Sequence, residues 1–418
     1  MDIPLLNLSS LLGSQVVDRA GEKLGRVDDL IVRLADHAYP PITGLKARIG
    51  GREVFIPADR IASVEPGKVQ LTGEKLDLGR FERREGEVLL RKDLLNRRLI
   101  NVRGARLVRA NDLALGRVEG WWRVVGVDTS FRSLLWRLLP GPLRKRAPVR
   151  PFLDWASVEP FVRHVPSAGL QMTSGKLAKL HPSQIADLVE AASHEEGEEI
   201  IDAVGADREL EADVFEELDP EHQVEFLRER SDEEAAKVLA RMEADDAADL
   251  LGELDQERRG PVLKLLPWHQ QRKVRTLLGY HPATAGGLMS PDYVALSETK
   301  TVAEALDALR RTELPEETVT TVLMYDADRR LTGVVSVVAL LKQRPEALLA
   351  DAKSPAPLTL EADDDITDVA MKMADYDLTV APVIDGEGAI LGIVTVDDLL
   401  EMMIPDDWRR RVAALGGE

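Results

Sequence analysis

Asp245 and Asp249 stand four residues apart in a stretch with the period of a short helix, so both carboxylates fall on one face. Such a pair suits a hard divalent cation. Mg²⁺ holds its water shell tightly and is usually bound through one or two carboxylates plus waters, which fits a bridge between two surfaces better than an enclosed cage. A solvated helix face is the bland alternative. Other chemistry has little support. The chain has no cysteine, and its seven histidines, at 37, 164, 181, 194, 222, 269 and 281, show no metal-ligand spacing. Ser174-Gly175-Lys176 has the look of a phosphate loop, but Leu170 occupies the place of the earlier glycine and Leu177 that of the Ser or Thr. The expectation is a binding protein and not an enzyme.

The elements that must position these carboxylates belong to a chain of 418 residues with 44% hydrophobic, 4% aromatic and 30% charged residues and a formal net charge of −19. That length implies roughly three domains. No apolar run reaches the eighteen or so residues of a membrane span, and Met1–Leu12 has an acid at position 2 where a signal peptide would be basic. A cytoplasmic location is expected. The charge is unevenly placed: residues 1–170 carry 29 Lys+Arg against 20 Asp+Glu, and residues 171–418 carry 25 against 53. Halves of opposite sign point to different partners, anionic surfaces for the first and cations for the second, or to attraction between the halves.

Residues 1–80 are short period-2 runs broken by Gly and Asp turns, such as Gly25–Val32 and Arg52–Pro57, which predicts a small β-barrel. The pattern recurs through Leu99–Val102, Ala105–Val108 and Gly126–Asp128, and both copies close on the same tetrapeptide, Ser63–Pro66 and Ser157–Pro160. The N-terminal part is a tandem repeat. Its Asp18–Val27, Phe55-Ile56-Pro57 and Ser-Val-Glu endings resemble the PRC-barrel family, closely in the first copy and loosely in the second. The resemblance implies an adaptor that docks on proteins or nucleic-acid machinery. An insertion in the second copy, residues 131–146, places Phe131, Leu134, Leu135, Leu138 and Leu139 on one stripe flanked by Arg and Lys. Two readings stay open: a helix packed on its own barrel, or a peripheral membrane contact.

From Thr173 to about Tyr280 the period becomes that of short helices, with starts at His181-Pro182, Asp219-Pro220, Ser231-Asp232 and Ala244-Asp245. Helices this short should stack as a superhelical array. Residues 291–404 repeat once more: a helix from Val302, strands at Thr321–Tyr325 and Gly333–Val338, then Ile366–Ala374, Val380–Ile384 and Gly392–Val396. This βαββα unit resembles a CBS pair, which implies adenine-nucleotide or ion binding and association as a homodimer.

Thr284–Leu296, Met373–Val380 and Ile393–Asp398 resemble the MgtE family of magnesium channels over about residues 175–404. The likeness stops where that family's pore begins. It implies Mg²⁺ between Asp245 and Asp249 on one side and Asp398 on the other. It implies a second ion site at Asp377, Glu401 and the main-chain oxygen of Ala374, with Glu in place of Asp at 401. A further family acid is Thr367 here, beside Asp368. Nucleotide binding is the competing function. Thr395 and Asp398 would hold it in the second CBS unit, whereas Val338-Ala339 stand where the first unit would need its acid.

The expected architecture is multidomain α+β: PRC-barrel-like domains at 1–85 and 86–170, a helical superhelical domain at 171–282, and CBS units at 283–346 and 347–418. The expected function is magnesium sensing that controls a separate membrane cation transporter. The alternatives are an adenine-nucleotide-sensing adaptor and an RNA- or ribosome-associated PRC-barrel adaptor.

Overall fold

The computed structural model describes residues 5–34, 38–73, 81–131, 151–165, 174–314, 318–352 and 358–404. Residues 132–146 of the insertion lie outside this set. The chain divides into two compact units, Met1–Glu217 and Leu218–Glu418.

The first unit begins with fourteen strands: β1 Leu5–Asn7, β2 Gln15–Val17, β3 Lys23–Arg33, β4 Ile42–Ile49, β5 Arg52–Pro57, β6 Ile61–Glu65, β7 Lys68–Leu71, β8 Glu87–Leu89, β9 Arg98–Asn101, β10 Arg106–Arg109, β11 Asp112–Val118, β12 Trp121–Asp128, β13 Leu153–Asp154 and β14 Val158–Pro160. Tight hairpins join them where the sequence supplies residues for positive φ: Gly50-Gly51 between β4 and β5, and Glu119-Gly120 between β11 and β12. The sheets stay open. One runs β5-β4-β3-β2-β7-β6 with β8 on β3, a second β1-β11-β12-β13 and a third β10-β9-β14. Among the described residues no pairing between the outer strands β5 and β6 closes a barrel.

The two copies interlock. At a constant offset of 83 residues, Leu11 aligns with Leu94, Gly13 with Asn96 (both at positive φ) and Asp29 with Asp112. Each copy gives its first strand to the other: β1 pairs with β11, Leu5 opposite Gly116, and β8 pairs with β3, Ile31 opposite Leu89. Two buried aspartates fasten the exchange. Asp29 Oδ1 accepts from Leu30 N and Arg91 N, both at 2.7 Å, and Oδ2 accepts from Lys92 N at 3.1 Å. Asp112 repeats this on the first copy, its Oδ1 accepting from Ser9 N at 3.1 Å and Leu113 N at 2.9 Å and its Oδ2 from the Ser9 hydroxyl. One apolar cluster, including Leu8, Leu30, Leu90, Leu113 and Trp155, runs through both copies.

Burial pushes the Asp29 carboxyl up to about 6, against its three backbone bonds and with a small addition from Asp93. The groups around it are Asp93, paired with Arg83 at 2.9 Å, and Asp28, paired with Lys46 and Arg91 at 3.2 Å. A carboxyl raised in the fold binds its proton more tightly there than in the unfolded chain. Its contribution is present below about pH 4 and is lost as pH climbs through about 6. The stability gap between wild type and Asp29→Asn should therefore shift by about 2 to 3 kcal/mol in favour of the variant between about pH 4 and pH 7. Denaturant unfolding followed at the buried Trp155 measures it, and a gap independent of pH contradicts it.

The helices begin at Ser174 and alternate with short turns. In the first unit Pro182–Ala191, His194–Val204 and Arg208–Glu216 follow, and in the second Pro220–Arg228, Asp232–Leu239, Ala244–Glu253, Gln256–Leu265 and Trp268–Leu277. His181, Asp219 and Ser231 cap their helices through side-chain acceptors. Ala244 is instead the first helical residue, and Glu243 holds the cap position without a side-chain bond to the helix's first turn. Helices pack on the next but one, Pro220–Arg228 on Ala244–Glu253 and Asp232–Leu239 on Gln256–Leu265, as a superhelix requires.

Each CBS unit has a parallel strand pair and an antiparallel return. The first is β15 Val294–Ser297, β16 Thr321–Tyr325 and β17 Leu331–Ser336; the second is β18 Leu360–Glu361, β19 Val380–Ile384 and β20 Ile390–Thr395. Leu323 of the first unit and Val380 and Ile393 of the second share a buried cluster.

Candidate metal centre

The helix Ala244–Glu253 presents Asp245 on its first turn and Asp249 one turn later, while Ala247, Ala248, Leu250 and Leu251 fill the interior of the array. Opposite stands the helix Val396–Met403. Its start is held by a reciprocal cap in which Asp398 N donates to Thr395 Oγ1 at 3.2 Å and Thr395 N donates to Asp398 Oδ2 at 3.3 Å. Thr395 is buried.

A docked linker joins array and CBS pair. Ala285 N donates to Asp364 O and Gly286 N to Ala362 O, each at 2.8 Å, and Ser290 and Ile393 exchange backbone bonds of 2.8 and 2.9 Å. Glycine is required here by close approach, since a Cβ on Gly286 would lie 2.6 Å from the Tyr280 ring and 3.0 Å from Ala362 O. Lys273, on the last helix of the array, pairs with Asp292 at 2.6 Å.

In this docked arrangement Asp398 lies within electrostatic reach of Asp245, and Asp249 follows one turn along the same helix as Asp245. Asp245 is buried and its Oδ1 has no hydrogen-bond partner among the described residues. Burial first, then Glu243, Asp398 and Asp249, hold its carboxyl well above the usual carboxylate range. Asp249 keeps its side chain at the surface, yet crowding by neighbouring atoms and Glu253 pushes it up to about 6. Burial also raises Asp398; its bonds with Thr395 oppose the rise, and Asp397 and Glu401 add to it. Each group is poorly stabilised as an anion by the protein around it. Carboxylate oxygens are the donors a hard cation takes, and one of them is buried without a proton donor among the described residues; the three carboxylates do not all lie within 4.8 Å of one another.

The second expected set is more dispersed. Ala374 O ends the helix Ile366–Asp375, accepting from Asp377 N at 3.4 Å, and Asp377 follows in a left-handed turn at φ 51°. Glu401 lies on the neighbouring helix and acts on Asp398. All three are exposed. Thr367 N is taken by the Asp365 cap at 2.8 Å. Sequence reasoning passed over Glu243 and Glu253, whose signal was their place beside the Asp245–Asp249 pair, and the Lys273–Asp292 tie, which had none.

A superhelical array docked on a CBS pair defines a regulatory module. Residues 180–283 match the MgtE intracellular N domain, residues 285–346 and 349–404 the CBS domain, and residues 5–78 the PRC-barrel domain. The chain is 42% identical over 139 residues to the magnesium transporter MgtE of Thermus thermophilus, covering 33% of this chain and 31% of that protein. With the MgtE of Enterococcus faecalis the identity is 34% over 145 residues, covering 35% and 32%. The chain thus spans about a third of the length of the curated relatives it matches. A crystal structure of the cytosolic domain of the Mg²⁺ channel MgtE in complex with ATP aligns at 34% identity and TM-score 0.52, over 55% of this chain and 93% of that one. The soluble part of a magnesium transporter aligns at 29% and 0.51, over 55% and 90%. Residues 180–404 are an MgtE-type cytosolic region, preceded here by a PRC-barrel match at residues 5–78 whose strands interlock with a second copy. Among the described residues no helix is long and apolar enough to cross a membrane.

Proposed function

We propose that this chain is a magnesium-sensing regulator whose helical array closes on its CBS pair when Mg²⁺ bridges Asp245 and Asp249 to Asp398, and that it controls a separate divalent-cation transporter. The observation that carries this reading is the buried, unpartnered Oδ1 of Asp245 within electrostatic reach of Asp398. Two carboxylates at ~4 Å repel by about 1 to 4 kcal/mol for effective dielectrics of ~80 to 20, so without a cation the array is driven away from the CBS pair. Each bound ion returns RT ln(1 + [L]/Kd), only ~0.4 kcal/mol at half-saturation, so a sharp response needs several sites. Ala374, Asp377 and Glu401 supply a second one. The exposed Leu400, Met402 and Met403 on the helix Val396–Met403 offer the face for a homodimer.

Limited proteolysis of the full chain tests the reading. Mg²⁺ at about 10 mM should suppress cleavage around residues 279–292. An unchanged pattern from zero to about 30 mM removes it. A second reading is adenine-nucleotide sensing, supported by the ATP complex of the 34%-identical cytosolic domain and by the Thr395–Asp398 pair. Calorimetry with ATP and AMP on wild type and Asp398→Ala decides it: heat that Asp398→Ala abolishes supports a nucleotide, and no heat in the wild type excludes one.

A further inference from the structure

The two interlocked copies end on the same five residues, Ala62–Pro66 and Ala156–Pro160, yet among the described residues only one of these ends is covered. In the second copy Val158, Glu159 and Pro160 are buried, and the helix Ser174–Leu177 lies against them. Lys176 Nζ donates to Val158 O at 2.6 Å and pairs with Glu159 at 3.2 Å, while the adjacent Leu177 is fully buried. In the first copy the equivalent Val64 is half-buried and Glu65 and Pro66 are exposed. Glu65 makes no ion pair among the described residues.

Strand β6, which carries this end, is the outermost of its sheet and bonds only to β7. Along it runs a cavity of about 450 Å³ walled by Ile61, Val64, Leu45 and Leu115, with the 54%-exposed Trp121 and its neighbour Trp122 at the mouth. That volume lies within the range of ligand pockets, about 300 to 1,000 Å³. Asp59 and Glu65 give the rim two acids; the one lining cation among the described residues, Arg117, bonds back to Gly120 O at 3.2 Å.

We propose that Ala62–Pro66 and this cavity are the docking site for a short lysine-bearing helix of a partner protein. A lysine of that helix would meet the Glu65 carboxylate and Val64 O, and an adjacent aliphatic side chain would enter the cavity beside Trp121. The occupant's chemistry is read from the chain's own Lys176-Leu177, already seated on the identical residues of the second copy. A second copy of this chain is the poorer occupant, because its Lys176 is held within its own fold. This docking does not depend on magnesium binding.

The test uses the full chain and a fluorescein-labelled peptide copying residues 174–191. The peptide should bind, and hydrogen exchange should slow at residues 61–66. Glu65→Lys should weaken binding at least about tenfold, and a peptide carrying Lys176→Glu should recover affinity for Glu65→Lys. Trp121→Ala should weaken binding without altering the fold. No binding, equal affinity for wild type and Glu65→Lys, or protection away from residues 61–66 would overturn the proposal. So would self-association of the wild type that Glu65→Lys abolishes, since the occupant would then be a second copy.

Discussion

Asp112→Ala is expected to destabilise the N-terminal unit by about 3 to 5 kcal/mol, and Asp29→Ala by a similar amount, because each strands several interior donors at about 1 to 3 kcal/mol apiece. Asp112→Ala leaves Ser9 N, the Ser9 hydroxyl and Leu113 N without that carboxylate; Asp29→Ala does the same to Leu30 N, Arg91 N and Lys92 N. Water does not replace the lost acceptor at positions 3% exposed. A loss of this size is a large share of the ~5 to 15 kcal/mol that holds a domain, and it should lower the melting temperature by about 10 °C. Glu119→Ala, which removes a salt bridge to Arg123 from a side chain 78% exposed, serves as the control and should cost under about 1 kcal/mol. Chemical unfolding followed at Trp155 makes the comparison. Equal effects of Asp112→Ala and Glu119→Ala would mean that the exchanged strands are held by apolar packing alone.

These caps also mark what the sequence reveals and what it hides. The repeat was legible from the shared Ser-Val-Glu-Pro endings, and the helices from their apolar period and from starts such as Asp219-Pro220 and Ser231-Asp232. The strand exchange was not. Leu5–Asn7 and Glu87–Leu89 are three-residue runs whose partners lie far along the chain, and nothing in the strand-like run Gly25–Val32 marks Asp29 as a buried acceptor for the other copy. Open sheets in place of closed barrels follow from the same exchange, since each first strand is spent on the neighbouring copy. At the candidate metal centre, spacing singles out Asp245 and Asp249 and resemblance singles out Asp398, which acts on Asp245 in the fold. Glu243 and Asp397 were readable only as neighbours of Asp245 and Asp398, and the Lys273–Asp292 tie is a contact between elements that share no sequence pattern.

The second large effect is at Asp245. With its charge present, bringing the array onto the CBS pair buries a carboxylate that has no proton donor at Oδ1 and has Glu243, Asp398 and Asp249 for neighbours. An uncompensated buried charge costs several kcal/mol, more than the ~0.4 kcal/mol returned per half-filled site. Asp245→Asn keeps the shape and one oxygen while removing the charge. It should therefore close the array without Mg²⁺ and abolish most of the response to it. Asp368→Asn, on the neighbouring helix Ile366–Asp375 and outside the carboxylate cluster, should respond as the wild type does.

Small-angle X-ray scattering of the full chain across a Mg²⁺ titration tests the central claim most directly. The account predicts that the radius of gyration of the wild type falls between zero and about 10 mM Mg²⁺, and that Asp245→Asn is already compact at zero and stays so. A radius that does not change with Mg²⁺ in the wild type, or an Asp245→Asn protein that compacts with the same midpoint, would contradict it.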